Sequence, residues 1–225
     1  MDYMLKKFRD EVGSILKPLG FKLKNGKYYV RITDERVYQT LTLFRRTGAC
    51  HIRYLSAPLC SGEGLYLTNG RDYEKMWENY TREEALYDKI VSEMARVVRD
   101  CLLPYFERTR TFEGAYREEC KIEWAVGGCY FSFYKAKKGE YQAMIDWMGW
   151  LIAKHETAVE NNVASFRKSG FQSEEEIQSY IERSDKELEH KKEMRDFFAE
   201  SSHEAIQKYL EENEEGVMRS AKWKL

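Results

Sequence analysis

Three strand-like runs in the first quarter of the chain decide the fold, and they lie in residues 27–57, KYYVRIT-DER-VYQTLTLFRR-TG-ACHIRYLSA. The runs 27–33, 37–46 and 49–57 are rich in the β-branched and aromatic residues that favour strands. Because only short turns separate them, neighbouring strands must be antiparallel. The sequence therefore predicts a small antiparallel β-meander.

The side-chain pattern also predicts how these strands pair. Two-residue loops at Glu35-Arg36 and Thr47-Gly48 produce one apolar face, suited to cover by a helix: Tyr28, Val30, Leu41, Leu43, Ile52 and Tyr54. The opposite face then carries Tyr29, Arg31, Thr40, Thr42, Phe44, Arg46, His51 and Arg53. A register shift of one residue would move every side chain of a strand to the other face, so the structure tests this predicted pairing directly.

Helices flank the meander in the sequence, which predicts an α+β domain over residues 1–110. Apolar residues recur at helical spacing from Leu5 to Leu19, where Pro18 and Gly20 end the pattern. A second helix is expected after the N-cap Thr81, running toward Pro104. The residues between 59 and 79 are expected to form a loop.

Residues 111–225 are predicted to be an α-helical region, a helical hairpin followed by a long charged helix. For residues 119–135, a stripe with steps of three and four favours a helix, whereas Gly127-Gly128 between aromatic runs is also a hairpin signal. A helical period continues from Met144 to Phe166, and Ser173 begins the long charged helix. A short last helix is expected at residues 205–212, with a frayed tail to residue 225.

The near-zero net charge of −1 hides an asymmetry between the two halves. Residues 1–110 contain 20 Lys+Arg and 15 Asp+Glu, whereas residues 111–225 contain 17 and 23. The excess of positive charge is concentrated in residues 1–53, with 12 basic and 5 acidic residues. Opposite signs suggest two modules that attract each other, or a basic module that faces an acidic partner.

Cysteine usage and apolar runs bear on the compartment. The five cysteines include no Cys-x-x-Cys pair, which is typical of reduced thiols in a cytoplasmic protein. No secretory signal opens the sequence, and the most apolar run, 147–153, is too short to cross a bilayer. We expect a cytoplasmic protein without a membrane partner. The sequence predicts no cofactor, no metal ligands and no catalytic residues.

One segment resembles a known family. Residues 15–31, ILKPLGFKLKNGKYYVR, resemble the opening of the family catalogued as domain of unknown function 4304, in which a helix leads into a Leu-Gly-Phe segment and then into strands. The resemblance covers about the first half of the chain and implies an α+β fold there. This chain departs from the family pattern at the end of the second strand, where Arg45-Arg46 make the edge unusually basic. The family has no assigned reaction, so the resemblance implies no site residue.

The candidate binding residues are those of the polar sheet face: Tyr29, Arg31, Phe44, Arg46, His51 and Arg53. Aromatic and Arg side chains interleaved on a sheet are how single-stranded nucleic acids are bound, by stacking and phosphate contacts. The same face could instead receive another protein or the chain's own C-terminal helices. We expect a non-catalytic protein-interaction protein that uses this face or the helical region. The alternatives are a nucleic-acid-binding module and an enzyme whose site leaves no sequence trace.

Overall fold

The computed structural model describes residues 2–64, 70–78, 83–121 and 129–220. The chain divides into two compact units, residues 1–121 together with 213–225, and residues 122–212. The sheet and its flanking helices lie in the first unit, and the second unit is helical. The predicted α+β class is therefore confirmed. The sequence analysis placed the end of the first module at residue 110, whereas the first compact unit includes one more helix, up to residue 121.

The sheet has six antiparallel strands in the order β1-β2-β3-β4-β5, and the sixth strand also pairs with β4. The three predicted strands are present as β2, β3 and β4, and three very short strands join them. The strands are β1 (Lys22–Lys24), β2 (Tyr28–Ile32), β3 (Val37–Arg46), β4 (Ala49–Pro58), β5 (Arg71–Asp72) and β6 (Trp77–Glu78). Strands of two or three residues carry no alternating pattern, so β1, β5 and β6 were not predicted. Residues 59–79 were expected to form a loop, but they contain β5 and β6.

The predicted pairing of β3 with β4 is confirmed. Leu43 lies opposite Ile52, and Arg46 lies opposite Ala49. This leaves Thr47-Gly48 as a two-residue turn, in which Gly48 has a φ of 73°. Because glycine adopts positive φ without a steric penalty, the turn fits the local sequence.

The predicted pairing of β2 with β3 is wrong by one residue. Tyr29, not Tyr28, lies on the same face as Leu41, which is its partner across the two strands. The cause is the connecting loop, which has three residues, 34–36, and is closed by a hydrogen bond from the Thr33 N–H to the Val37 carbonyl at 3.0 Å. Arg36 has a φ of 59°, as expected for the left-handed residue of a three-residue hairpin loop.

This shift exchanges the faces of β2 alone. The helix-covered face, as we call it, contains Tyr29, Arg31, Gln39, Leu41, Leu43, Ile52, Tyr54 and Ser56. The second face contains Tyr28, Val30, Thr40, Thr42, Phe44, His51, Arg53 and Leu55. Both faces hold buried residues, such as Leu41 and Ile52 on the first and Val30 and Leu55 on the second.

The helices that flank the sheet in the first unit include α1 (Tyr3–Leu16), α2 (Glu84–Val97), α3 (Leu103–Arg108) and α4 (Phe112–Cys120). Their apolar side chains and those of the helix-covered face form one core, in which Phe8 and Met94 are fully buried. Arg71 pairs with Glu119 and thereby holds α4 against the edge of the sheet. The predicted N-cap Thr81 lies outside the described residues, and α2 begins after Glu83.

The helical path that was predicted to run toward Pro104 continues beyond it. A π-helical turn over Val98–Leu102 follows α2, and the Leu103 N–H bonds to the Val98 carbonyl. Pro104 then falls in the first turn of α3. A proline is tolerated there because the first residues of a helix need no N–H for an intrahelical hydrogen bond. The chain therefore continues as helix to Arg108.

The second unit contains α5 (Cys129–Lys137), α6 (Gln142–Ser169), α7 (Glu174–Glu200) and the first part of α8 (His203–Ser220). The favoured helical interpretation is confirmed for residues 129–135, while Gly127-Gly128 lie outside the described residues. Ser173 caps α7 as predicted, in a reciprocal capping box with Glu176. The last helix is longer than predicted and reaches Ser220, and the tail that follows lies outside the described residues. None of the helices in the described ranges combines the length and apolar character needed to cross a membrane.

Candidate functional site

The six candidate binding residues do not share one face. Because of the register shift, Tyr29 and Arg31 point into the helix-covered face. The other four candidates, Phe44, Arg46, His51 and Arg53, lie at the β3–β4 turn end of the second face. The predicted six-residue surface is therefore divided between the two sides of the sheet.

Arg31 is part of a buried polar network. Its Nε donates to Gln39 Oε1 at 2.8 Å, and its Nη1 donates to the Leu19 carbonyl at 3.0 Å. The guanidinium also pairs with Glu107 at 3.2 Å. Burial lowers the pKa of Arg31, and the hydrogen bond with Glu107 opposes that shift. The charge of Arg31 is thus engaged within the protein and is not presented to a ligand.

The same network anchors the end of α3. Gln39 Nε2 donates to the carbonyls of Phe106 at 2.8 Å and Thr109 at 3.0 Å. The Ser56 and Thr109 hydroxyls lie 2.7 Å apart. The last carbonyls of a helix lack intrahelical partners, so the sheet supplies the donors that α3 needs. We assign Arg31 and Gln39 a structural role.

Tyr29 is also structural. Its hydroxyl donates to the Arg9 carbonyl at 3.0 Å, and its ring packs on Phe8. Burial raises the pKa of Tyr29 to about 12, so the phenol stays protonated. A Cβ at Gly13 would lie 2.5 Å from the Tyr29 hydroxyl oxygen. Glycine at this position is what allows α1 to approach the sheet.

The remaining candidates form a cluster around one ring, which we call the Phe44 cluster: Phe44, Arg46, His51, Arg53 and Asp72. The His51 ring stacks on Phe44 with centroids 5.0 Å apart. The guanidinium carbons of Arg53 and Arg46 lie 4.0 Å and 5.7 Å from the ring centroid. Two side chains of the protein therefore already stack on the ring that was predicted to receive a ligand.

Asp72 neutralises much of the charge of this cluster. Arg53 donates to its two carboxylate oxygens at 2.6 Å and 3.1 Å, and this bonding lowers the pKa of Asp72. His51 Nε2 lies 2.9 Å from the same carboxylate, although out of line for a hydrogen bond. Burial lowers the pKa of His51, and Asp72 opposes that shift. His51 is consequently uncharged at neutral pH, and Arg46 is the exposed cation of the cluster.

Cys50 and His51 lie on opposite sides of β4 and share no site. The Cys50 thiol is buried in the core and donates to the Trp77 carbonyl at 3.6 Å. Burial raises the pKa of Cys50 to about 11, so the thiol is protonated and is a poor nucleophile. Within the described ranges, no three His, Cys, Asp or Glu side chains are grouped closely enough to hold a metal ion.

A second candidate site, which the sequence analysis missed, lies at the tip of the α6–α7 hairpin. Phe171 lies two residues after the end of α6, and its side chain is 93% exposed. Gly170 ends α6 with a φ of 66° and bonds to the Phe166 carbonyl. Caps of this kind are commonly accompanied by an apolar contact between the next residue and the last turn of the helix. Here Phe166 packs instead on Tyr180, with ring centroids 5.3 Å apart, and Phe171 stays exposed.

Hydrogen bonds and an ion pair stabilise the backbone of the tip on both sides of the exposed Phe171. Ser173 and Glu176 form the capping box that begins α7, and Arg167 pairs with Glu174 across the tip at 3.3 Å. Between the end of α6 and the first turns of α7 lies an open cavity of about 390 Å³, lined by Phe166, Gln172, Glu175, Glu176, Ser179, Tyr180 and Arg183. The tip thus combines an exposed aromatic side chain on a capped backbone with a recess lined mainly by α7. The available sequence signal was an aromatic residue between Gly170 and the Ser173 cap, where no core position is expected.

His155 lies on the inner side of α6. Its Nε2 lies 3.0 Å from the Ser184 carbonyl, which can only accept a hydrogen bond. Its Nδ1 lies 3.1 Å from Lys191 Nζ. These contacts fix the Nε2–H tautomer and join α6 to α7. Both ring nitrogens are used in packing the hairpin.

Comparison with protein-family models, with curated proteins and with solved structures finds no match to this chain. The resemblance of residues 15–31 to domain of unknown function 4304 stays a prediction.

Proposed function

We propose that this chain is a non-catalytic protein-interaction protein and that the α6–α7 hairpin tip is its contact surface. The observation that carries the proposal is Phe171, whose side chain is 93% exposed on a tip closed by two helix caps. Aromatic side chains of this kind supply a large share of the energy of protein–protein interfaces when they enter a partner's pocket. Because helix caps on both sides hold the backbone of the tip, the backbone loses little conformational entropy on binding.

The alternative protein-binding surface, the polar sheet face, has weaker support. Arg31 is buried and paired with Glu107, and Arg53 is held by Asp72. A partner that used these cations would have to break hydrogen bonds that the protein already makes. The helical region is therefore the better of the two surfaces considered in the sequence analysis.

Site-specific photo-crosslinking tests the proposal. A photoreactive phenylalanine analogue replaces Phe171 in the full chain, and the same analogue replaces the exposed Gln178 of α7 as a control. We expect a discrete protein adduct from position 171 that position 178 does not give. The adduct partner is then purified, and its affinity for Phe171→Ala is expected to be at least tenfold weaker than for the unmodified chain. Met76→Ala, which removes another exposed apolar side chain, is expected to leave the affinity unchanged.

The proposal is wrong if both positions give the same adducts, or if Phe171→Ala binds the purified partner as well as the unmodified chain. These outcomes are separate from misfolding, because Phe171 makes so little contact with the rest of the chain that its removal should leave the circular dichroism spectrum unchanged.

A nucleic-acid-binding function has one observation in its favour, the exposed Arg46 beside the Phe44 ring. If the Phe44 cluster binds single strands, a labelled oligonucleotide should bind the full chain with an affinity that falls steeply with salt. Arg46→Glu should then weaken that binding at least tenfold, while Phe171→Ala should not affect it.

A further inference from the structure

The turn between β1 and β2 contains an Asn-Gly pair, Asn25-Gly26, and the asparagine is exposed. Both residues have a left-handed backbone, with a φ of 47° at Asn25 and 68° at Gly26. Glycine and asparagine adopt this conformation more readily than other residues do, and Asn-Gly is a preferred pair in tight hairpin turns. The backbone of the turn therefore accounts for both residues, and the pair brings its own chemistry with it.

Asparagine is one of the chemically labile residues of proteins, and a following glycine makes it more so. The backbone nitrogen of the glycine attacks the asparagine Cγ, the Cγ–Nδ2 bond breaks, and the amide group leaves as ammonia with the proton of the glycine N–H. The product is a five-membered succinimide ring. Water then opens the ring at one of its two carbonyl carbons, which gives either aspartate or isoaspartate. Glycine favours the attack because it has no side chain beside the attacking nitrogen.

The structure leaves the reacting atoms of this pair accessible. Within the described ranges, neither the Gly26 N–H nor the Asn25 side-chain amide forms a hydrogen bond. The turn is closed by a bond from the Lys27 N–H to the Lys24 carbonyl at 3.1 Å, which does not involve the attacking nitrogen. Ring closure requires rotation about the Cα–C bond of Asn25, and no hydrogen bond of the attacking N–H has to break first. The neighbouring positive charges of Lys24 and Lys27 favour the loss of the Gly26 N–H proton and the carboxylate that forms at the end.

Arg9 ties the same turn to α1. Its Nε donates to the Gly26 carbonyl, and a Cβ at Gly26 would overlap its guanidinium group. The Arg9 carbonyl accepts a hydrogen bond from the Tyr29 hydroxyl at 3.0 Å, so the contact extends to β2. A change in the backbone beside Gly26 therefore acts on a group that joins the hairpin to the helix.

We propose that Asn25 is a site of spontaneous deamidation and that isoaspartate at this position releases the turn from Arg9. In isoaspartate the backbone passes through the side-chain carboxyl carbon, so the chain between residues 25 and 26 is longer by one carbon. The turn then no longer fits between Lys24 and Tyr28, which are partners across β1 and β2, and the Gly26 carbonyl moves away from Arg9. Aspartate keeps the backbone and tolerates the left-handed conformation as asparagine does, so only the isoaspartyl product causes the release.

Mass spectrometry of the full chain, incubated at mildly alkaline pH and then digested, tests the modification. Asn69→Ser is introduced throughout, because it removes the other Asn-Gly pair of the sequence. The matched control is Asn161, which is exposed but lies inside α6, where the following N–H is bonded within the helix. Each deamidation rate is divided by the rate in a synthetic peptide of the same local sequence, which removes the effect of the neighbouring residue type. We expect Asn25 to keep at least a tenth of its peptide rate and Asn161 to keep less than a hundredth.

The modification is overturned if folding slows deamidation at Asn25 as strongly as it does at Asn161. Asn25→Gln, in which the side chain must close a larger ring, should remove the product at this position.

The thermal stability of the separated products tests the release from Arg9. Ion-exchange chromatography resolves the deamidated chains, and enzymatic methylation of the isoaspartyl carboxyl group identifies the isoaspartyl form. We expect this form to melt about 3 °C or more below the unmodified chain, whereas Asn25→Asp, which has the structure of the other product, should melt within about 1 °C of it. Arg9→Met removes the hydrogen bond to Gly26 in every form and should therefore reduce the difference between the isoaspartyl and unmodified chains at least twofold.

An isoaspartyl form that melts with the unmodified chain overturns the release, and so does a difference that Arg9→Met does not reduce. The hairpin-tip proposal is independent of these outcomes, because Phe171 and Asn25 lie in different compact units.

Discussion

Replacing Gln39 is expected to lower the free energy of unfolding by several kcal/mol. The side chain is fully buried, donates to the Phe106 and Thr109 carbonyls and accepts from Arg31. Gln39→Leu keeps a side chain of similar size but removes the hydrogen bonds with Arg31, Phe106 and Thr109. Two neutral bonds contribute about 1 kcal/mol each and the bond to a guanidinium about 1.5–3, and the buried groups left without partners add to the loss. We expect the free energy of unfolding to fall by about 3–5 kcal/mol.

Urea unfolding of the full chain, followed by circular dichroism, measures this loss. The control is Gln178→Leu, the same substitution on the exposed surface of α7, where a change within about 0.5 kcal/mol is expected. Arg31→Met tests the coupling, because in the Gln39→Leu background it should cost less than in the unmodified chain. If Gln39→Leu costs less than about 1 kcal/mol, α3 is not anchored by this network and the structural role of Gln39 and Arg31 is wrong.

Two further predictions concern the same unit. Gly13→Ala should destabilise the protein by about 1–3 kcal/mol in thermal unfolding, because the added methyl would overlap the Tyr29 hydroxyl. This cost should outweigh the higher helix propensity of alanine. An unchanged or higher melting temperature would contradict the close approach of α1 to β2. The pKa of His51 is lowered from 6.5 in the folded chain, so the unfolded chain takes up a proton first and stability should fall as the pH drops below about 6.5. His51→Gln should remove part of that decrease in urea titrations between pH 7 and 5, and an identical pH profile would show that His51 contributes nothing to it.

The parts of the fold that were predicted correctly have local signals. The turn at Thr47-Gly48 contains the glycine that its backbone needs, so the pairing of β3 with β4 follows from neighbouring residues. The beginning of α7 follows from Ser173 and Glu176, which cap it within one turn. The long period of α6 predicts its inner face in the same way.

The candidate site was predicted only in part. Phe44, His51 and Arg53 do lie together, because they are placed by the β3–β4 pairing that the local turn determines. Tyr29 and Arg31 were assigned to the wrong face, since the residues of β2 do not discriminate between the two registers as expected. Tyr28 and Tyr29 are equally aromatic, so either could face the core. Arg31 can be buried because it pairs with Glu107 and donates a hydrogen bond to Gln39.

What the sequence by itself determined is therefore the existence and position of the three main strands, the β3–β4 register, the helical periods of α6 and α7 and the N-cap of α7. Each depends on residues within a few positions of one another. The tertiary structure decided the face on which Arg31 lies, because its partner Glu107 is distant in sequence. The three-residue turn was also not marked in the sequence, since its left-handed position is occupied by Arg36 and not by glycine. The tertiary structure also decided that Phe171 is exposed: an apolar residue at a helix end can pack inward or point outward, and here Phe166 packs on Tyr180 while Phe171 points outward.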